Sequence, residues 1–327
     1  MVTAELKKSD RVEWIDISKG IGIFLVVLVH TSLPKLISNW IISIIMPFFF
    51  FISGYLYQED KYKIKDFLWV KMKQLMFPYT CFTLIVWFGF YMLNYKMTII
   101  SAQELWYGWK GIALWFVPVL FISESIFVYL QKMLSLPLLI ISLIICSLIG
   151  YFTFKVNFHL PFKIEVVYTA IFFYGGGYLL RYYNKIDLLS NHNIFIYITV
   201  LFLTVFSFIL SLLTSSHLDM ASNTFGVYIP TIIISFSGIA AIIAFSFLLS
   251  TKESVIINII KFFGRNTLII LSFHQLILIT LKKYLENLPL NNYLNSGIRH
   301  LLLWMILYIF IITINKHFLF LLGKLKK

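Results

Sequence analysis

Polar positions along this chain gather into short stretches, and between them run apolar segments long enough to cross a membrane. A bilayer core demands about 20 apolar residues per crossing helix. Ten stretches meet that need: 14–33, 37–57, 75–94, 111–131, 134–154, 165–181, 192–214, 226–250, 266–282 and 299–321, the sixth and ninth being short. The pattern predicts an all-α, polytopic transmembrane helical bundle of about ten spans. No Pro/Ser-rich linker, low-complexity tail or persuasive internal repeat divides it, so residues 1–327 read as a single membrane-embedded domain.

Composition agrees with the pattern. Hydrophobic residues make up 60% of the chain and charged ones 13%, and the mean hydropathy is +0.88. A soluble domain is about a quarter charged and has no way to hide so much apolar surface from water. The net charge of +13 raises the question of nucleic acid, but no soluble basic domain is present to bind it. Membrane topology accounts for the cations better. With ten spans and both termini in the cytoplasm, 19 of the 27 Lys and Arg residues fall inside and 8 outside, as the positive-inside rule expects. The protein is then a multi-pass protein of the cell membrane, the inner one if there are two. Lys7, Lys8, Asp10 and Arg11 precede the first apolar run, and no small-residue cleavage site convincingly follows it, so it reads as a retained span. The connector 58–74 interleaves Lys61, Lys63, Lys65, Lys71 and Lys73 with Tyr62, Phe67 and Leu68. It fits an interfacial helix lying on lipid headgroups or an ordinary positive-inside loop. Cys81 and Cys146 sit in apolar runs, which favours buried single thiols.

The first span carries the sharpest signal. In RVEWIDISKGIGIFLVVLVHTSLP, Lys19 and His30 are eleven residues apart, about three turns plus 20°, so they share a face and lie roughly 16 Å apart along the axis. Asp16 lies one turn before Lys19 on that face. An ionisable side chain facing lipid at depth is costly, so this stripe looks into protein or an aqueous cavity. His30 suits a general base that takes a proton from an attacking hydroxyl, because free imidazole titrates near neutrality; it also suits a packing histidine. Lys19 suits an anion holder, for instance for the phosphates of a donor, with Asp16 orienting it; the pair equally suits a local anchor at the inner interface. Gly20 and Gly22 permit close helix approach behind the stripe.

WIDISKGIGIFLVVLVH at 14–30, followed by PFFFFISGYLY at 47–57, resembles the acyltransferase-3 family of integral membrane O-acyltransferases, in particular its branch similar to fucose 4-O-acetylase. KMKQLMFPY at 71–79, LWFVPVLF at 114–121 and FGRNTLIILSFHQ at 263–275 support the likeness, which runs over about residues 11 to 321. The family pattern separates a basic residue, usually arginine, from a histidine by ten residues. Lys19 and His30 occupy those positions, and lysine keeps the charge without the five-donor fork. The resemblance implies transfer of an acetyl group from acetyl-CoA to a hydroxyl of a cell-surface glycan or its lipid-linked sugar precursor. It makes His30 essential, with Asp16 and Lys19 in its polar surroundings. No permanently bound cofactor is implied.

Further marks follow, each beside a plainer reading. Glu124, acidic and well inside a span, suits the carboxylate that orients His30 or a structural ion pair. Pro118 in the same helix is a possible kink. Trp115 and Phe116 suit an acyl path or core packing; Phe48 to Phe51 read chiefly as membrane surface; Ser53 and Gly54 suggest a close contact with the first helix. Lys71 and Lys73, at the inner end of the third span, suit electrostatic capture of CoA phosphates or simple anchoring, and Arg265 adds a cation before the ninth span. His274, two turns farther in, is a second catalytic candidate or a helix–helix hydrogen bonder. The run Gly175 to Gly177 has no preceding strand and reads as tight packing or a local break. His159, His192, His217, His300 and His317 show no metal-ligand spacing, so no metal is expected. The rival reading is a secondary transporter or exporter of a glycan or small solute, with Asp16, Lys19, His30 and Glu124 lining its route.

Overall fold

A computed structural model describes residues 12–31, 33–59, 61, 63–93, 113–156, 160–183, 194–285 and 292–323. Lys7, Lys8, Asp10, Arg11, Tyr62, His159 and His192 lie outside the described residues. The helices are α1 (Glu13–Val29), α2 (Lys35–Tyr55), α3 (Ile64–Lys71), α4 (Phe77–Met92), α5 (Phe116–Met133), α6 (Leu136–Lys155), α7 (Ile164–Tyr182) and α8 (Ile194–Thr214). A two-stranded antiparallel hairpin follows, β1 (Leu218–Asp219) and β2 (Thr224–Phe225), then α9 (Tyr228–Ser250), α10 (Val255–Arg265), α11 (Thr267–Leu285) and α12 (Asn292–His317).

Among the described residues, eight helices are long and apolar enough to cross a membrane. The other two expected spans, the first and sixth, are helices as well. Helix α1 has only 17 residues and carries Glu13, Asp16 and Lys19, and α7 carries Glu165, Arg181 and three glycines. Both pack inside the bundle, whereas α6, α8 and α12 turn most of their surface outward.

Several boundaries move for physical reasons. The first helix stops at Val29, not residue 33: Thr31 donates its hydroxyl hydrogen to the Leu28 carbonyl at 2.5 Å, and Pro34 already starts the next helix as its N-cap. The charged connector is helical over Ile64–Lys71 and runs into the third span through a π turn at Met72–Met76. Pro78 has no N–H for the Gln74 carbonyl, and the widened turn accommodates that loss. Pro118 lies in the first turn of α5, entered through a 3₁₀ turn at Ala113–Trp115; an N–H there would lack an intrahelical partner anyway, so it starts the helix rather than kinking it.

The core corrects one sequence expectation directly. Phe48, Phe49, Phe50 and Phe51 are all buried, packed between α1, α5 and α7 rather than facing lipid. Phe49 and Phe50 each meet Phe116, and Phe51 meets Phe236. The glycines decide how closely these helices cross. Gly54 does not face the first helix: a Cβ there would sit 1.8 Å from the Tyr174 carbonyl oxygen, and one on Gly177 would sit 1.8 Å from that of Phe51. The two glycines thus seat α2 and α7 backbone to backbone, as small residues do in membrane bundles. Gly54→Leu therefore abolishes assembly of a folded bundle, and recovery of monodisperse protein in detergent measures it; wild-type yield would contradict this packing.

Gly20 performs the same task between α1 and α10. Its Cβ would meet the Ile260 carbonyl oxygen at 2.3 Å, while a Cβ on Gly264 would meet that of Asp16 at 1.8 Å. Between α10 and α11, the Asn266 side chain bonds the Phe262 carbonyl and receives the Asn315 amide at 2.7 Å. Helix α11 lines up beside the polar stripe of α1, with Thr267 at the level of Lys19 and Gln275 at that of His30.

Candidate active site

The stripe on α1 is buried at Asp16, half-buried at Lys19 and exposed at His30; Asp16 meets α10 and His30 meets α11. At the amino end, buried Asp16 accepts from Arg265 Nε at 2.7 Å. A carboxylate removed from water needs such a partner, and the tight glycine contact brings Arg265 there. Nearby, Glu13 pairs with Lys261 at 2.7 Å.

One level deeper lies a cavity of about 250 Å³ whose lining includes Lys19, Ser53, Lys71, Phe116, Glu124 and Thr267. The Lys71 ammonium lies 3.1 and 2.9 Å from the two oxygens of Glu124, which is 2% exposed. Lys19 is close enough for its charge to act on Glu124 as well. Two cations and one carboxylate leave the cavity net positive, and the N-terminus of α11 at Thr267 adds partial positive charge. Ile23, Phe49 and Phe116 supply apolar walls. The space can take an anionic head with an apolar extension.

His30 lies at the far end of the stripe, as the C-cap of α1 and exposed. Its partner is Gln275 of α11. The Gln275 Oε1 accepts from the Ala113 backbone N–H at 2.8 Å. Because an N–H can only donate, the amide is fixed with its nitrogen toward His30, 3.2 Å from Nδ1 and 3.3 Å from Nε2. The amide NH₂ only donates, so the ring nitrogen it bonds is an acceptor and His30 is neutral there. A neutral imidazole has a single lone pair, and here Gln275 donates to it, so an incoming hydroxyl has to displace that amide before His30 can act as a base. Gln275→Leu releases the ring and strips Ala113 of its acceptor; kcat is expected to fall about ten- to a hundredfold through lost orientation, with little change in KM. Steady-state kinetics check this, and an unchanged kcat would remove Gln275 from the site.

His274, the residue before, is fully buried. Its Nδ1 donates to the Ile270 and Leu271 carbonyls at 2.9 and 3.1 Å, and its ring sits 5.0 Å from that of His30 at 47°. It forms the wall against which His30 rests. A second cavity of about 240 Å³ opens beside His30, with Thr31, Lys282, Ser296, Arg299 and His300 in its lining.

The sequence-derived candidates therefore divide. Lys19, Lys71 and Glu124 converge on one cavity, His30 and His274 touch at the other end, and Asp16 and Arg265 form an ion pair. Glu124 is held by Lys71 rather than facing His30. Lys73 points elsewhere, its ammonium 4.7 Å from the centre of the Trp69 ring, because Lys71 and Lys73 lie on different sides of one helical turn. Gln275 escaped singling out, although a lone amide in an apolar helix next to His274 was a signal.

The profile of the acyltransferase-3 family, described as an acyltransferase domain, matches residues 12–315. The chain belongs to this family. No curated protein and no solved structure matches it. The match covers every residue of both cavities, so the polar groups strung along α1 are those of a membrane-bound acyltransferase. That assignment displaces the transporter reading, under which the same stripe lined a solute route.

Proposed function

We propose that the protein is an O-acetyltransferase that moves an acetyl group from acetyl-CoA to a hydroxyl of a cell-surface glycan or its lipid-linked precursor, in the manner of the fucose 4-O-acetylase-like branch. The observation that carries this reading is the division of labour along α1: a cationic cavity at Lys19 and a neutral histidine about 16 Å farther along the axis. The pantetheine arm of CoA separates its phosphates from its thioester by a comparable reach. With the amino terminus in the cytoplasm, phosphates rest near Lys19 and Lys71, and the thioester extends along the apolar wall toward His30.

There His30 takes the proton of the acceptor hydroxyl as its oxygen attacks the thioester carbonyl. The C–S bond breaks, and the proton returns to the departing sulfur. His274 backs the imidazole during the attack, and the acceptor hydroxyl takes the place of the Gln275 amide at the ring nitrogen. Proton transfer by a positioned base accounts for about 10²–10⁴ in rate.

The test is the O-acetyl content of surface glycans in a deletion strain complemented with wild type, His30→Ala or Lys19→Arg at equal membrane abundance. Loss of one acetyl ester on deletion, restored by wild type and not by His30→Ala, is the expected result, and it names the acceptor. Unchanged acetylation in the deletion strain would overturn the proposal.

A further inference from the structure

Three basic residues elsewhere in the bundle are matched to carboxylates: Lys71 to Glu124, Lys261 to Glu13, Arg265 to Asp16. The cavity beside His30 gathers cations without such a match. Lys282, Arg299 and His300 line it together with Thr31 and Ser296, and no Asp or Glu is among its described lining residues. Among the described residues the Lys282 ammonium has no partner. Among the described residues, Arg299 bonds through Nε alone, to the Asn295 carbonyl of its own helix 3.3 Å away. His300 donates from Nδ1 to the Ser296 carbonyl at 3.0 Å, and its buried Nε2 meets no partner among the described residues. The carboxylate whose charge reaches His30 is Asp219; it lies outside this lining and already accepts from the Ala221 and Ser222 N–H groups and the Ser222 hydroxyl.

Two permanent cations and an imidazole gathered around one small space repel one another unless an anion joins them. Arginine with its terminal nitrogens open is suited to grip a planar or tetrahedral oxyanion through two parallel hydrogen bonds. At about 240 Å³ the cavity is smaller than the roughly 300–1,000 Å³ of drug-sized sites, and it suits one sugar ring rather than a chain. We propose that the acceptor is an acidic sugar unit, whose carboxylate or phosphate is held by Lys282, Arg299 and His300 while a neighbouring hydroxyl reaches His30. The inference rests on the reading of His30 as the base that activates the acceptor.

The experiment measures binding, not turnover, so the two readings fail separately. Full-length protein in phosphatidylcholine nanodiscs is titrated with a glucuronate-containing disaccharide, a hexose phosphate and the neutral glucose disaccharide. At least one acidic probe is expected to bind tenfold or more tightly than the neutral one. The preference weakens with salt, and whichever acidic probe wins separates carboxylate from phosphate. Arg299→Gln and Lys282→Gln each remove most of the preference, whereas Lys283→Gln, whose lysine bonds the Leu93 carbonyl at 2.6 Å, keeps it. Equal binding of all probes, no binding of any, or a preference that survives both cavity substitutions would overturn the inference. So would a preference that vanishes when anionic phospholipid is added to the nanodiscs, since the cations would then belong to lipid headgroups.

Discussion

His30→Ala is expected to lower acetyl transfer about 10²–10⁴-fold while leaving the fold as stable as wild type. The two halves of that expectation come from the same placement. His30 follows the last residue of α1, is exposed, and lies outside the buried core, so truncating it opens no cavity in packed protein. Its contacts are with Gln275 and the His274 ring, which hold a side chain in position and bear no load between helices. Initial rates with purified protein, alongside thermal unfolding in the same detergent, separate the effects. Loss of activity together with a large drop in the unfolding midpoint would recast His30 as a structural residue.

Lys71→Met is expected to have the opposite profile, destabilising first and impairing activity as a consequence. Glu124 is 2% exposed, and Lys71 is within hydrogen-bonding distance of both its oxygens. Breaking a buried pair from one side costs about 3–5 kcal/mol, because a charge is left uncompensated; the charge of nearby Lys19 holds the loss toward the lower end. Adding Glu124→Gln removes the stranded charge and recovers most of the stability. The double variant then tests the donor site without the folding defect: it keeps its midpoint and the cavity's net charge, so weaker acetyl-CoA binding by it reports the lost Lys71 contact itself. Unfolding midpoints of the wild type and three variants decide it. Equal stability of Lys71→Met and wild type would show that the pair contributes nothing to the fold.

What was legible in the sequence is what lipid forces on a chain. Hydrocarbon thickness sets helix length, so most spans could be read within a few residues, the last starting at Asn292 rather than 299, and the cost of charge at depth turned Asp16 inward while His30 ends exposed. What was not legible is which apolar side chains meet lipid and which meet protein. In water the two faces of a helix differ in polarity, but in a bilayer both are apolar, and so Phe48 to Phe51 read as surface although they are core. The same limit hid the contacts of Gly54, which looks alike against α1 or α7. Helix α10 escaped notice because eleven residues are too few to span, although it supplies Arg265 and Lys261 to α1. Pairings across the chain, Lys71 with Glu124 and Gln275 with Ala113 and His30, depend on how the helices assemble, and no local spacing encodes them. Acyltransferase-3 membership gives the class of chemistry.

In the proposed reaction, acetyl passes from a donor at the Lys19 end of α1 to an acceptor at the His30 end. The most direct measurement uses sealed inside-out membrane vesicles that hold surface glycan in their lumen, with acetyl-labelled acetyl-CoA supplied only outside. Alkali-labile label on the enclosed glycan is expected with wild-type protein and none with His30→Ala. Label that appears only when donor and glycan share one face of the membrane, or that appears equally with His30→Ala, would contradict it.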